Sequence, residues 1–152
     1  MRPNPQWIVT RVDGKIASVS MSYAHLARIA GKIAGQNPSL VSSVTTEKIS
    51  TQELVELAKA VRWEDLILYG SAFQRKVWET LFSLNHSEGQ YVPSRKLFSY
   101  TDFATLCNNT AGVRAVAHAV ACNPVAFIIP CHLIIPKDSM DRIAEIQDKA
   151  KS

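Results

Sequence analysis

Asn123-Pro124-Val125-Ala126-Phe127-Ile128-Ile129-Pro130-Cys131-His132-Leu133-Ile134-Ile135-Pro136 is an apolar run that carries a thiol and an imidazole side by side. Pro130 restricts Ile129 to extended backbone, and Pro136 stops a helix from running onward, so Cys131 is expected on stiff chain. In an extended segment neighbouring side chains face opposite ways. Cys131 and His132 then cooperate only across a local turn or through a bridging water. A free cysteine in such a run is often an inert small hydrophobe. A buried histidine, however, needs a partner, and prolines bracketing Cys-His exceed what a core strand requires. Filler and nucleophile both stay open as readings of this thiol.

Upstream, Ser99 with Asp102 has the spacing of a helix N-terminus, and Phe103, Leu106 and Cys107 give that helix a buried face. Asn108-Asn109 can end it, because Asn tolerates left-handed backbone. Thr110 is expected to cap a second short helix, Ala111 to Cys122. On this helix Val113, Val116, Ala117 and Val120 gather on one side, and Ala111, Arg114, Ala115, His118 and Cys122 on the other. Such a pair is either a plain helical hairpin or a helix-turn-helix that lays its second helix in a DNA groove. The exposed face favours the second reading. A bare helix is about 10 Å across and the minor groove about 6 Å wide, so a face of Ala111, Gly112 and Ala115 suits a widened minor groove, with Arg114 reaching between bases.

Further upstream, Asn85 to Phe98 is long for a connection and reads as a functional loop or a mobile insertion. Ser71 with Gln74 marks another helix start, followed by Phe73, Val77, Leu81 and Leu84 at helical spacing. The apolar run Leu66 to Tyr69 ends at Gly70, and a domain boundary is placed near Trp63 to Gly70, separating 1–65 from 66–152. In the first unit, Gln6 to Arg11 and Lys15 to Ser20 alternate around Asp13-Gly14, a hairpin signal. Leu26, Ile29, Ala30 and Ile33 form a helical stripe that stops near Gly35, and Leu40 to Thr46 is read as a further strand. Ser50 with Glu53 opens another helix. Nothing in this unit suggests chemistry.

The 152 residues, 47% hydrophobic and 20% charged, are ordinary globular material with room for a real core. A formal charge of +4 allows a polyanionic partner without demonstrating one. The cysteines, 107, 122 and 131, make no CxxC or zinc spacing, and an odd count points to free thiols in a reducing compartment. No secretory signal or membrane span is read from the N-terminus, so an intracellular protein is expected, cytoplasmic or, in a eukaryote, nuclear.

Gly70-Ser71-Ala72-Phe73-Gln74, Val77-Trp78, Ser99-Tyr100, Val113-Arg114-Ala115-Val116, Asn123-Pro124 and Ile129-Pro130-Cys131-His132 resemble, in this order, the C-terminal domain of O6-alkylguanine-DNA alkyltransferases. The likeness runs from about residue 66 to 136. It implies a variable α/β N-terminal domain followed by a mainly helical C-terminal domain with a winged-helix-like helix-turn-helix. It also implies an activity: a monomer that binds duplex DNA through the minor groove, flips out an O6-alkylated guanine and moves the alkyl group irreversibly to its own cysteine. Carried over by position, Cys131 is the acceptor and His132 its base through a water. Arg114 fills the hole left by the flipped base, with Gly112 and Ala115 beside it on the DNA-facing helix. Tyr100 pushes the flanking phosphate and hydrogen-bonds the base. Asn123 holds the turn before the active segment, Pro130 shapes the pocket, and the carbonyls of Cys131 and Ile134 read the guanine amino group. No metal or organic cofactor is implied.

The chain departs from the family in three places. Leu133 stands where the family has Arg. Pro136 is not followed by the family's Gly-rich closing loop or by its Leu-rich helix with a Glu. Asn85 to Phe98 carries an insertion with Arg95-Lys96. Met140, Ile143 and Ile146 form a weak helical stripe, so Asp141, Glu145 and Asp148 are expected to face solvent. Two other functions compete: a non-catalytic alkyltransferase-like protein that holds the flipped base, and a cysteine hydrolase built on Cys131 with His118 or His132.

Overall fold

The structure, a computed structural model, describes residues 5–36 and 38–151, without the side chains of 24–27, 40, 41 and 151. Strands β1 (Gln6–Val12) and β2 (Lys15–Ser20) form the expected hairpin. Asp13 and Gly14 turn it with φ of 52° and 80°, the left-handed pair that matches the twist of such hairpins. β3 (Val44–Ser50) pairs antiparallel with β1, giving the order β2-β1-β3. The strand expected at 40–46 therefore starts later, because Pro38–Ser43 coils into a 3-10 turn. β3 is a sheet edge exposed over most of its length, so its sequence carries no buried alternation to read.

Helix α1 (Ala24–Gln36) lays Ile29 and Ile33 on the sheet; Leu26 of the expected stripe lies outside the described side chains. Helix α2 (Thr51–Ala60) opens with the expected reciprocal cap: Glu53 N–H donates to Ser50 Oγ and Ser50 N–H to the Glu53 carboxylate, both at 3.1 Å. Helix α3 (Ala72–Ser83) repeats this device with Ser71 and Gln74, and buries Val77, Trp78, Leu81 and Phe82. Gly70 lies so close to α3 that a Cβ there would come within 2.6 Å of the Trp78 ring.

The segment expected as a long loop holds a small hairpin, β4 (His86–Ser87) with β5 (Gln90–Tyr91), turned by Glu88 and Gly89 at φ 51° and 78°. Asn85 fastens its base: its carbonyl accepts Val92 N–H at 2.8 Å and its Oδ1 accepts Ser94 N–H at 2.7 Å. Strands this short, around Glu-Gly rather than Asn-Gly, leave little pattern in sequence.

Strand β6 (Phe98–Ser99) leads into α4 (Tyr100–Leu106), and Ser99 Oγ accepts Asp102 N–H at 3.1 Å. The buried face of α4 is Phe103, Ala104 and Cys107, and Leu106, expected there, is 49% exposed. At 100° per residue Leu106 falls about 100° from the centre of that face. Asn108, at φ 56°, ends the helix as expected. Thr110 does not cap the next one. Thr110–Gly112 is a 3-10 turn, and α5 (Val113–Ala121) starts from Gly112 with no side-chain cap. After the Cys-His segment, β7 (Ile134–Ile135) pairs parallel with β6, and α6 (Lys137–Lys151) follows.

One core cluster takes Val9, Val19, Ile49 and Leu54 from the first half together with Trp78, Leu81, Phe103, Val116, Ile128 and Ile129 from the second. β2 also grips the second half directly. Val19 N–H donates to Pro124 O at 3.0 Å, Ala126 N–H to Val19 O at 3.3 Å, and Ile67 N–H to Ile16 O at 2.9 Å. Among the described residues no helix is long and apolar enough to cross a membrane.

Candidate active site

The site grows from the end of α5. Asn123 uses both ends of its amide: Oδ1 accepts Val125 N–H at 3.0 Å, and Nδ2 donates to Ile129 O at 2.8 Å. The first bond is an Asx turn, and the second ties that turn to the residue before Pro130. Between them, Ile128 N–H reaches Ala126 O at 2.8 Å around Phe127, whose φ is 70°. Pro130, at φ −81° and ψ 67°, makes a second three-residue turn, with Cys131 N–H on Ile129 O at 2.8 Å. The apolar run is thus a chain of tight turns and not the extended strand that its prolines suggest.

Cys131–Leu133 is one 3-10 turn, closed by Leu133 N–H on Pro130 O at 3.1 Å and by Ile134 N–H on Cys131 O. At three residues per turn Cys131 and His132 diverge by about 120° rather than lying on opposite faces, so a single water can join them. Cys131 is half-buried, His132 exposed, and Leu133 and Ile134 buried in the core. The Cys131 carbonyl already receives the Ile134 N–H, which leaves it one lone pair for a ligand. The His132 ring stacks on Phe127, centroids 5.6 Å apart and planes 15° apart. Desolvation lowers the pKa of the imidazole below its ordinary value, which favours the neutral base.

Tyr100 is drawn toward this turn by the β6–β7 pairing: β6 ends one residue before Tyr100, and β7 begins one residue after Leu133. On α5, Arg114, Ala115 and His118 are exposed, as are Ala111 in the turn before it and Cys122 just after it, while Val116, Ala119 and Val120 are buried. Trp78 Nε1 donates to Ala119 O at 2.8 Å and pins α5 to α3. A Cβ on Gly112 would stand 2.6 Å from the Asn109 side-chain amide, which would have to turn aside to admit it. Cys107 is buried, and burial raises its thiol pKa against smaller opposing effects of the Thr80 hydroxyl and Lys76. Cys122 Sγ lies 3.5 Å from His118 Nε2. Asp141, Glu145 and Asp148 are exposed on α6, as expected, but so are Ile143 at 36% and Ile146 at 67%, which leaves only Met140 of the expected stripe half-buried.

Sequence reading missed Phe127 and the β6–β7 pairing. A cavity of about 860 Å³ between the Trp63 turn and the β4–β5 hairpin does not include Cys131.

A small-faced helix thus feeds a clamped thiol–imidazole turn on an α/β body. Residues 72–150 match the family described as 6-O-methylguanine DNA methyltransferase, DNA binding domain, and the chain belongs to this family. It is 39% identical over 75 residues to "Probable methylated-DNA--protein-cysteine methyltransferase" of Acanthamoeba polyphaga mimivirus, covering 49% of this chain and 45% of that protein. It is 41% identical over 69 residues to the methylated-DNA–protein-cysteine methyltransferase of Haemophilus influenzae, covering 45% of this chain and 34% of that protein. The matched segments thus span less than half of these curated relatives. The crystal structure of O6-methylguanine-DNA methyltransferase from Pyrococcus kodakaraensis strain KOD1 shares the fold, with a TM-score of 0.56 at 20% identity over 91% of this chain and 84% of that one.

Proposed function

We propose that this protein repairs O6-alkylguanine in duplex DNA by transferring the alkyl group to Cys131, once per molecule and without a cofactor. The observation that carries the reading is the Cys131–Leu133 turn, fastened through Asn123 to the end of a helix whose outer face is small and holds Arg114. α4 and α5 serve as a winged-helix-like helix-turn-helix, with α5 entering the minor groove at Gly112 and Ala115. Arg114 occupies the space of the flipped guanine, and Tyr100 presses on the neighbouring phosphate. Flipping costs a few kcal/mol, which the inserted side chain and the pocket must offset.

His132, kept neutral by desolvation, takes the thiol proton through a water. The thiolate attacks the alkyl carbon, the S–C bond forms, the C–O6 bond breaks with its electron pair moving to the guanine, and a proton restores neutral guanine. Pro130 and the carbonyls of Cys131 and Ile134 line the base pocket. The protein acts as a monomer inside the cell.

A second reading, binding and flipping without efficient transfer, is favoured by one observation: no ion pair or hydrogen bond joins His132 to a carboxylate among the described residues. Mixing excess protein with a duplex containing O6-methylguanine and analysing the nucleosides separates the two. Conversion to guanine, stoichiometric with protein, supports transfer. Tight binding with the lesion intact supports the second reading.

A further inference from the structure

We propose that Phe127 is a positioning residue for His132, its ring serving as the platform that fixes the imidazole plane beside Cys131, where no carboxylate among the described residues does so. In an extended segment Phe127 would share a face with Val125 and Ile129, and both of these are 0% exposed. Phe127 instead is half-buried at the edge of the core, because the turn at φ 70° breaks the alternation and its ring meets His132 while still packing against the core cluster. Such backbone is unfavourable for a bulky residue and persists only where its surroundings over-determine it. They do so here. Asn123 holds Val125 N–H and Ile129 O, Ile129 N–H donates to Val125 O at 3.0 Å, and Ala126 N–H is held by β2 at 3.3 Å.

The strained turn has one visible product, the near-parallel stack of Phe127 on His132. The chargeable group beside it in the same turn is Cys131, and the charged or titratable residues of the elements that flank the turn are Tyr100 on α4, Lys96 before β6, and Lys137 and Asp138 at the start of α6. Among the described residues none of these is hydrogen-bonded or ion-paired to the imidazole. The offset stack sets hydrocarbon against part of an otherwise exposed imidazole, which restricts its rotation and accords with desolvation as the cause of its lowered pKa. The quadrupole of a phenyl ring would favour the imidazolium, so the downward direction means that desolvation prevails over it.

The kinetic arm of this proposal rests on the alkyl-transfer reading; the spectroscopic arm does not. The test is an NMR titration of the His132 ring in the full chain, its signal assigned by loss in His132→Gln, for wild type, Phe127→Tyr, Phe127→Leu and Phe127→Gly. Glycine accepts φ 70° without strain, so Phe127→Gly removes the ring and keeps the turn even if Phe127→Leu folds poorly. Wild type and Phe127→Tyr should titrate below the ordinary value, and Phe127→Gly should move up toward about 6.5 and lose its ring-current shift. Single-turnover transfer should follow, its pH midpoint rising in Phe127→Gly with DNA affinity unchanged within a few-fold. A Phe127→Gly titration equal to or below that of wild type overturns the platform whatever the kinetics. A shifted titration with no transfer by wild type retains the platform and removes the alkyl-transfer reading.

Discussion

At the scale of single residues, two ionisable groups tie stability to pH in opposite directions. The fold favours neutral His132, so in acid the unfolded chain takes up that proton first. Stability should therefore be complete above about pH 6.5 and decline as the pH falls from there through the lowered folded value. Cys107 is the mirror case: burial raises its pKa, so in alkali the unfolded chain loses the thiol proton first. Stability should hold below about pH 8.5 and fall as the pH rises through the raised folded value. Urea unfolding across pH checks both, since His132→Gln should flatten the acid arm and Cys107→Ala the alkaline arm. A flat profile in the wild type would contradict both assignments.

At the scale of elements, the sequence was most legible where the signal is local. Ser50 with Glu53 and Ser71 with Gln74 each close a cap within one turn of helix, and Asp13-Gly14 sets its hairpin by backbone preference alone. What stayed hidden depends on contacts distant in sequence or on backbone that no periodicity encodes. β6 and β7 are two residues each and pair only because α4, α5 and the Asn123 turn bring them together. Phe127, in an unbroken apolar run, gives no sign that it is the residue in left-handed backbone. The Cys-His pair itself was visible as Pro-Cys-His, but its geometry was not, since a chain of tight turns reads as a strand. Substitutions test these junctions. Gly70→Ala drives a Cβ into the Trp78 ring, which is 1% exposed and held by its bond to Ala119. Overpacking of this kind costs about 1–3 kcal/mol, to be read as a lower urea midpoint at unchanged slope. Asn123→Ala strands Val125 N–H and removes one of the two donors to Ile129 O, which keeps Cys131 N–H, and should cost about 1–3 kcal/mol. It should also slow transfer by more than its loss of stability explains, because the Cys-His turn loses its fastening. Transfer at the wild-type rate in folded Asn123→Ala would remove that role.

At the scale of the whole molecule, a chain of formal charge +4 is expected to bind duplex DNA with a modest salt dependence. Each neutralised phosphate contributes a slope of about 0.9 in a log–log salt plot, so a slope near zero would remove duplex DNA from the account. Arg95, Lys96 and Arg114 are exposed cations available for it. Arg114→Ala should leave most affinity for undamaged duplex in place while lowering the transfer rate roughly tenfold or more, since a flip costing a few kcal/mol loses its support. Equal rates in wild type and Arg114→Ala would place that side chain outside the DNA contact.

The central claim, that Cys131 accepts the alkyl group, is tested most directly by mass. The protein is incubated with a duplex carrying O6-methylguanine, measured intact and then mapped by peptide, beside Cys131→Ala and a full-length family member. Among the described residues no carboxylate is bonded to His132, and loss of an orienting acid lowers rates severely in triad enzymes, so transfer should run orders of magnitude slower than in the reference. The account predicts the gain of one methyl group, on Cys131, and no gain in Cys131→Ala. A methyl group on Cys107 or Cys122, or an unchanged mass after full binding of the lesion, would contradict it.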